Sequence, residues 1–139
     1  MNIKVLLVDD EEEFVEILAE RLEFRGFSVS TAFNGDDAVS RLKEHEPDVV
    51  ILDVLMPGKD GIQTLKEIKQ ISPLVEVIML TGHATVGTAI EGMKLGAYNY
   101  LIKPSETEDL VAKIMKAYKL KSEHEERIRS AELESVGEM

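Results

Sequence analysis

Five short apolar runs, at residues 3–9, 27–32, 48–53, 75–81 and 98–102, alternate with stretches whose apolar residues recur at helical spacing. That alternation limits the possible folds more than any other feature of the chain. Strands joined through helices of about 10–15 residues need crossover connections, and right-handed crossovers give a parallel sheet with helices on both faces. The pattern therefore predicts an α/β domain of the doubly wound (βα)5 kind. Phe14, Ile17, Leu18, Leu22 and Phe24 mark the first helix, with Gly26 as its stop. Asn34-Gly35 turns into a second helix carrying Ala38, Val39 and Leu42, which Glu46-Pro47 closes. Gly61 opens a third with Ile62, Leu65 and Ile68, ending near Ser72-Pro73. Val86, Ile90 and Met93 mark a fourth before Gly96, and Ser105-Glu106-Thr107-Glu108 reads as a capping box that starts the fifth.

Acid closes two of the apolar runs. Asp9 and Asp10 end the first, and Asp53 ends the third. In open parallel sheets, ligands bind beyond the carboxyl ends of the strands, where the strand order reverses. Three carboxylates gathered there repel one another, so they either hold protons or bind a cation. An all-oxygen donor set favours Mg²⁺, Ca²⁺ or Mn²⁺, and a carboxylate beside bound Mg²⁺ is placed to attack phosphorus. Taken alone, Asp53 also fits a turn acid at a strand end, and Asp10 also fits an N-cap ahead of Glu11, Glu12 and Glu13.

Composition narrows the partners. With 16 basic against 27 acidic residues and a net charge of −11, the 139-residue chain suits neither the phosphate backbone of nucleic acid nor an anionic membrane. It has no cysteine, hence no disulfide framework and no thiolate metal site, which fits a cytoplasmic location. The run after Met1 is too short for a signal peptide, and no stretch approaches the ~20 apolar residues of a membrane span.

Read in order, these pieces resemble the receiver domain of two-component response regulators. The resemblance covers residues 3 to about 120. It rests on Asp9-Asp10, on Asp53-Val54-Leu55-Met56-Pro57-Gly58-Lys59-Asp60-Gly61, on Thr81, and on Tyr100-Leu101-Ile102-Lys103-Pro104. It implies a flavodoxin-like three-layer sandwich with strand order 2-1-3-4-5. It also implies that Asp53 accepts a phosphoryl group from a sensor histidine kinase, a phosphotransfer domain or a small acyl phosphate. Mg²⁺ (or Mn²⁺) would be held by Asp10, Asp53, the backbone of Leu55 and, through water, Asp9. Lys103 would serve the phosphoryl oxygens and can pair with Asp53 beforehand; its bond to Pro104 is expected cis. Thr81 and Tyr100 would form the switch, with Gly82 leaving room for the motion, and His83 would lie at the rim. Ser105 stands where the family often has Phe and is expected to cap the fifth helix. Such a module is not a turnover enzyme. The resemblance allows a homodimer through the face of the fourth helix, fifth strand and fifth helix, or through the C-terminal helix, but the sequence does not fix the oligomeric state.

Two other Mg²⁺ or phosphate chemistries fit less well. An aspartate-nucleophile phosphatase wants a second Asp two residues after the first, where this chain has Leu55. A nucleotide site wants a glycine-rich loop after the first strand, where Asp9-Asp10-Glu11-Glu12 stands. Residues 1–120 are therefore read as the receiver and 121–139 as a helical extension or linker, supported by a Glu123–Arg127 pair. Ala131 to Met139 resembles the stretch ahead of the phosphoacceptor histidine in sensor kinases, which suggests the receiver part of a hybrid kinase; a ragged helix end with Gly137 as its stop is the other reading.

Overall fold

The computed structural model describes residues 2–56, 58–82 and 86–137, so the expectations placed on Pro57, His83, Glu138 and Met139 lie outside the described residues. Five strands, β1 (Lys4–Val8), β2 (Ser28–Ala32), β3 (Val49–Leu52), β4 (Glu76–Thr81) and β5 (Asn99–Ile102), alternate with five helices. The helices are α1 (Glu12–Phe24), α2 (Gly35–His45), α3 (Gly61–Ile71), α4 (Val86–Lys94) and α5 (Thr107–Gly137). All strand pairs are parallel, in the order β2-β1-β3-β4-β5. The predicted (βα)5 arrangement and strand order are both present. No helix among the described residues is long and apolar enough to cross a membrane.

Side chains on a strand point alternately to opposite faces, so one sheet feeds two cores. Val5, Leu7, Ile51, Ile78 and Leu80 pack with Val15, Leu18 and Leu22 of α1 and with Leu110, Ile114 and Ala117 of α5. On the other face Leu6, Val8, Val50, Leu52, Val77 and Met79 meet Ala38 and Leu42 of α2 and Leu65 and Ile68 of α3. Strands covered on both sides are apolar along their length, so β3 and the middle of β4 are apolar and fully buried, and the polar exceptions, Glu76 and Thr81, stand at the two ends of β4. Each fully buried Leu or Ile here contributes about 1.5–3 kcal/mol relative to exposure.

Several local expectations need correction. The first helix buries Val15, Leu18, Ala19 and Leu22, while Ile17 and Phe24 face solvent, Phe24 at 89% exposure. Among the described residues of α4, Ala89 and Gly92 are buried, and Ile90 and Met93 are exposed. A side chain on Gly92 would collide with the Met79 thioether, so α4 lies against the sheet through its small residues and turns its large ones outward. Asp10 is not the cap of α1: Glu11 occupies that position without a side-chain capping bond. Nor does Ser105 cap α5. The Glu106 carbonyl accepts the Leu110 N–H, which starts the helix one residue later, and Glu108 reaches across to Arg25, just past the end of α1, instead of folding back. Among the described residues, the ion pairs within the extension are Lys121–Glu125 at 3.2 Å and Glu126–Arg129 at 3.2 Å, not Glu123–Arg127. Such exposed pairs gain little, so helical spacing alone does not select among them.

Candidate functional site

Backbone hydrogen bonding carries the sheet one rung past its strands and fixes the acids there. The Asp9 N–H donates to the Ala32 carbonyl at 3.1 Å, and the Asp53 N–H to that of Val8 at 3.0 Å. Both acids thus sit at the C-terminal edge on adjacent strands, each 4% exposed. Asp10 follows, exposed to solvent. Ligand-capable oxygens of Asp9, Asp10 and Asp53 all lie within 4.8 Å of one another. The loop after Asp53 is anchored by Gly61, whose N–H donates to the Val54 carbonyl at 2.7 Å. A Cβ at Gly61 would collide with the Asp53 carbonyl and Val54, so this close approach requires glycine. Asp60 caps α3 by accepting the Gln63 N–H at 2.8 Å.

From β5 comes the counter-charge. The Lys103 N–H donates to the Thr81 carbonyl at 2.9 Å, which sets the lysine beside the end of β4. Its Nζ lies 2.6 Å from Asp9 Oδ2, 3.0 Å from Glu11 Oε1 and 3.8 Å from Asp53 Oδ2. The expected pairing with Asp53 is therefore the longest of the three, beyond hydrogen-bond range. The Phe14 ring lies beneath the ammonium, 4.3 Å from Nζ to the centroid. Neither Glu11 nor Phe14 was singled out for the site in the sequence; Glu11 lies within the acidic run and Phe14 three residues on, which is the only signal either gives.

The electrostatics show a surplus of negative charge. Burial raises the Asp9 pKa above its ordinary value, and the neighbouring Asp53 adds to this, against the opposing pull of Lys103. Burial works against the charge on Lys103, but the hydrogen bonds it donates to Asp9 and Glu11 outweigh it and hold its pKa above that of an ordinary lysine. One ammonium does not neutralise three clustered acids. An all-oxygen, partly open set of this kind fits a divalent cation such as Mg²⁺, which keeps several waters beside one or two carboxylates.

Thr81 is fully buried at the end of β4, Gly82 is exposed with none of the described residues within 4 Å of a Cβ added there, and Tyr100 on β5 is 36% exposed. Leu55 is 52% exposed and its N–H donates to Asp53 Oδ1 at 3.3 Å. The Lys103–Pro104 peptide is cis.

Comparison with known proteins agrees with this geometry. The sequence profile described as response regulator receiver domain matches residues 5–115. The transcriptional regulatory protein ZraR of Escherichia coli (strain K12) is 41% identical over 116 residues, which is 84% of this chain but only 26% of that protein. A response regulator receiver domain protein from Clostridium thermocellum superposes with a TM-score of 0.82 at 38% identity, covering 86% of this chain and 97% of that one. NtrX from Brucella abortus superposes with a TM-score of 0.84 at 31% identity, covering 91% of this chain and 29% of that one.

Proposed function

Because this chain belongs to the response regulator receiver family of two-component systems, we propose that it is a phosphorylation-controlled signalling module with Asp53 as the phosphoacceptor. The observation that carries this reading is the meeting of Asp9, Asp10 and Asp53 within 4.8 Å at the carboxyl edge of the sheet, with a lysine from the far strand beside them. In the transfer, an Asp53 carboxylate oxygen forms a bond to the donor's phosphorus. The bond from phosphorus to the donor nitrogen or oxygen breaks, and its electron pair leaves with a histidine imidazole or with acetate. Asp9, Asp10, Asp53 and the Leu55 carbonyl are the residues that would hold Mg²⁺ (or Mn²⁺). Bound there, the ion supplies positive charge that offsets the repulsion between these acids and the incoming phosphoryl oxygens.

The remaining steps belong to the protein. Lys103 offers a mobile ammonium to one phosphoryl oxygen, and the Thr81 hydroxyl donates to another. Drawing Thr81 inward uses the open space at Gly82, and Tyr100 turns from its exposed position into the space this leaves. The partner upstream is a sensor histidine kinase or a phosphotransfer domain in the cytoplasm. Output runs through the face of α4, β5 and α5, biased by one phosphoryl group between two states. Residues 1–120 make up the receiver, and 121–139 form an extension that carries the signal onward. An effector or a kinase module carried elsewhere in a longer protein fits the relatives' greater length.

Intact-mass spectrometry tests the assignment. With Mg²⁺ and acetyl phosphate the protein gains one phosphoryl group, and Asp53→Asn gains none. Labelling that persists in Asp53→Asn rejects Asp53 as acceptor. Steady release of inorganic phosphate without accumulation favours the phosphatase reading.

A further inference from the structure

We propose that Glu11 is a positioning residue: it seats the Lys103 ammonium on the α1 side of the crevice, away from Asp53, and so restrains the phosphorylation proposed above, on which this inference rests. Lys103 Nζ is 3.0 Å from Glu11 Oε1 but 3.8 Å from Asp53 Oδ2. The first is a charge-assisted hydrogen bond; the second is not a hydrogen bond. Glu11 and Phe14 are three residues apart at the start of α1, so both face the same way, and the Phe14 ring lies 4.3 Å from the same ammonium. Carboxylate and ring together make a seat that belongs to α1 and not to the phosphoryl pocket. Asp9 completes it at 2.6 Å. Asp9, however, is also one of the acids a cation draws on, so its hold on Lys103 weakens when the cation binds. Glu11 is not in the acid cluster, and its hold persists.

To reach a phosphoryl oxygen on Asp53, the ammonium must give up Glu11. The Glu11 side chain is 63% exposed, so water can replace it and the hold is modest. A latch of that strength delays the lysine without trapping it. Glu11 also acts at longer range, since its negative charge attracts a divalent cation whether or not it touches Lys103. Contact and charge can be separated. Glu11→Gln removes the charge. Glu11→Asp keeps it but draws the carboxylate back by about 1.5 Å, one carbon–carbon bond. At the N-cap position that shorter acid also finds the free N–H groups of the helix start.

Three measurements on the full chain decide the matter: the rate of Asp53 labelling by acetyl phosphate at saturating Mg²⁺, Mg²⁺ affinity by calorimetry, and the Lys103 side-chain NMR signal without metal. Both variants should raise the labelling rate about two- to fivefold, the range expected for one partly exposed ion pair. Both should shift the Lys103 signal, while only Glu11→Gln weakens Mg²⁺ binding. A Glu11→Asp variant with wild-type rate and unshifted Lys103 signal overturns the proposal, because charge alone would then explain any effect of Glu11→Gln. A wild type that takes no label at Asp53 overturns the phosphoacceptor reading instead, and the NMR signal still reports whether Glu11 seats the lysine.

Discussion

Leu55 stands two residues after Asp53 with its side chain 52% exposed, while its N–H reaches the Asp53 carboxylate. Hydrolysis of a phosphoaspartate needs a water aligned with phosphorus, and an apolar side chain cannot orient one. Leu55→Asn should therefore shorten the phosphorylated lifetime severalfold, on the order of 1 kcal/mol in barrier. Decay followed by intact mass after removal of acetyl phosphate measures this, and equal or slower decay in the variant sinks it. Gly61 gives a structural counterpart. An added methyl group has no free volume beside Asp53 and Val54. Gly61→Ala should cost about 1–3 kcal/mol in urea denaturation and displace the acceptor loop, lowering Mg²⁺ affinity. Unchanged stability and affinity would show that the loop adjusts freely. At this scale the sequence shows which residue types close each strand, so Asp9, Asp10, Asp53, Thr81 and Lys103 were all legible. It does not show where a flexible lysine points, since three acids compete for Lys103 and only the packed geometry ranks them.

The helices show the limit of periodicity. An apolar stripe more than about 100° wide identifies a helix without saying which of its residues are covered. Ile17, Phe24, Ile90 and Met93 fit the helical spacing and still face solvent, because Val15, Ala19 and Ala89 make the close contacts. The last helix is tied to the opposite edge of the sheet from the acidic site. Lys121 pairs with Asp48 at 3.0 Å, with side chains 13% and 16% exposed, and Asp48 also accepts the Lys4 N–H at 2.9 Å. Asp48→Asn should cost about 1–3 kcal/mol and lower hydrogen-exchange protection from Lys121 onward; protection unchanged there would mean the helix holds without the pair. Nearby, Glu76 is 7% exposed at the start of β4, with Lys69 of α3 and His124 of α5 as its titratable neighbours. Burial raises its pKa above the ordinary 4.5, and those two groups only partly offset this. A raised carboxyl pKa favours the fold below the unfolded value, and that contribution is lost as pH rises through the folded value. Glu76→Gln should therefore be more stable than wild type at pH 7, by on the order of 1 kcal/mol, with the difference closing as pH falls below 4.5. Urea titrations at both pH values check the sign; a variant less stable at neutral pH would mean that Lys69 and His124 outweigh burial.

On the scale of the whole molecule, two exposed apolar surfaces are candidates for self-association. One is the edge where α4, β5 and α5 expose Ile90, Met93, Tyr100, Ile102 and Met115. The other is the projecting part of α5, where Ile128 and Leu133 are exposed at 46% and 67%. A two-stranded coiled coil needs apolar residues sustained at both seam positions, and two well-placed ones in a charged helix do not make one. The α4–β5–α5 edge concentrates more apolar surface, and it is where the switch proposed for Thr81 and Tyr100 would act. We expect the protein to be monomeric without ligand at micromolar concentration and to dimerise when Mg²⁺ and beryllofluoride, a phosphoryl mimic, are added. A face of about 800 Å² per partner suffices for such an association. Analytical ultracentrifugation of two double variants separates the surfaces. Ile90→Glu with Ile102→Glu should stay monomeric with the mimic bound, whereas Ile128→Glu with Leu133→Glu should still dimerise. If instead only the α5 variant loses the dimer, assembly runs through the extension, as the resemblance of Ala131 to Met139 to a kinase linker would require.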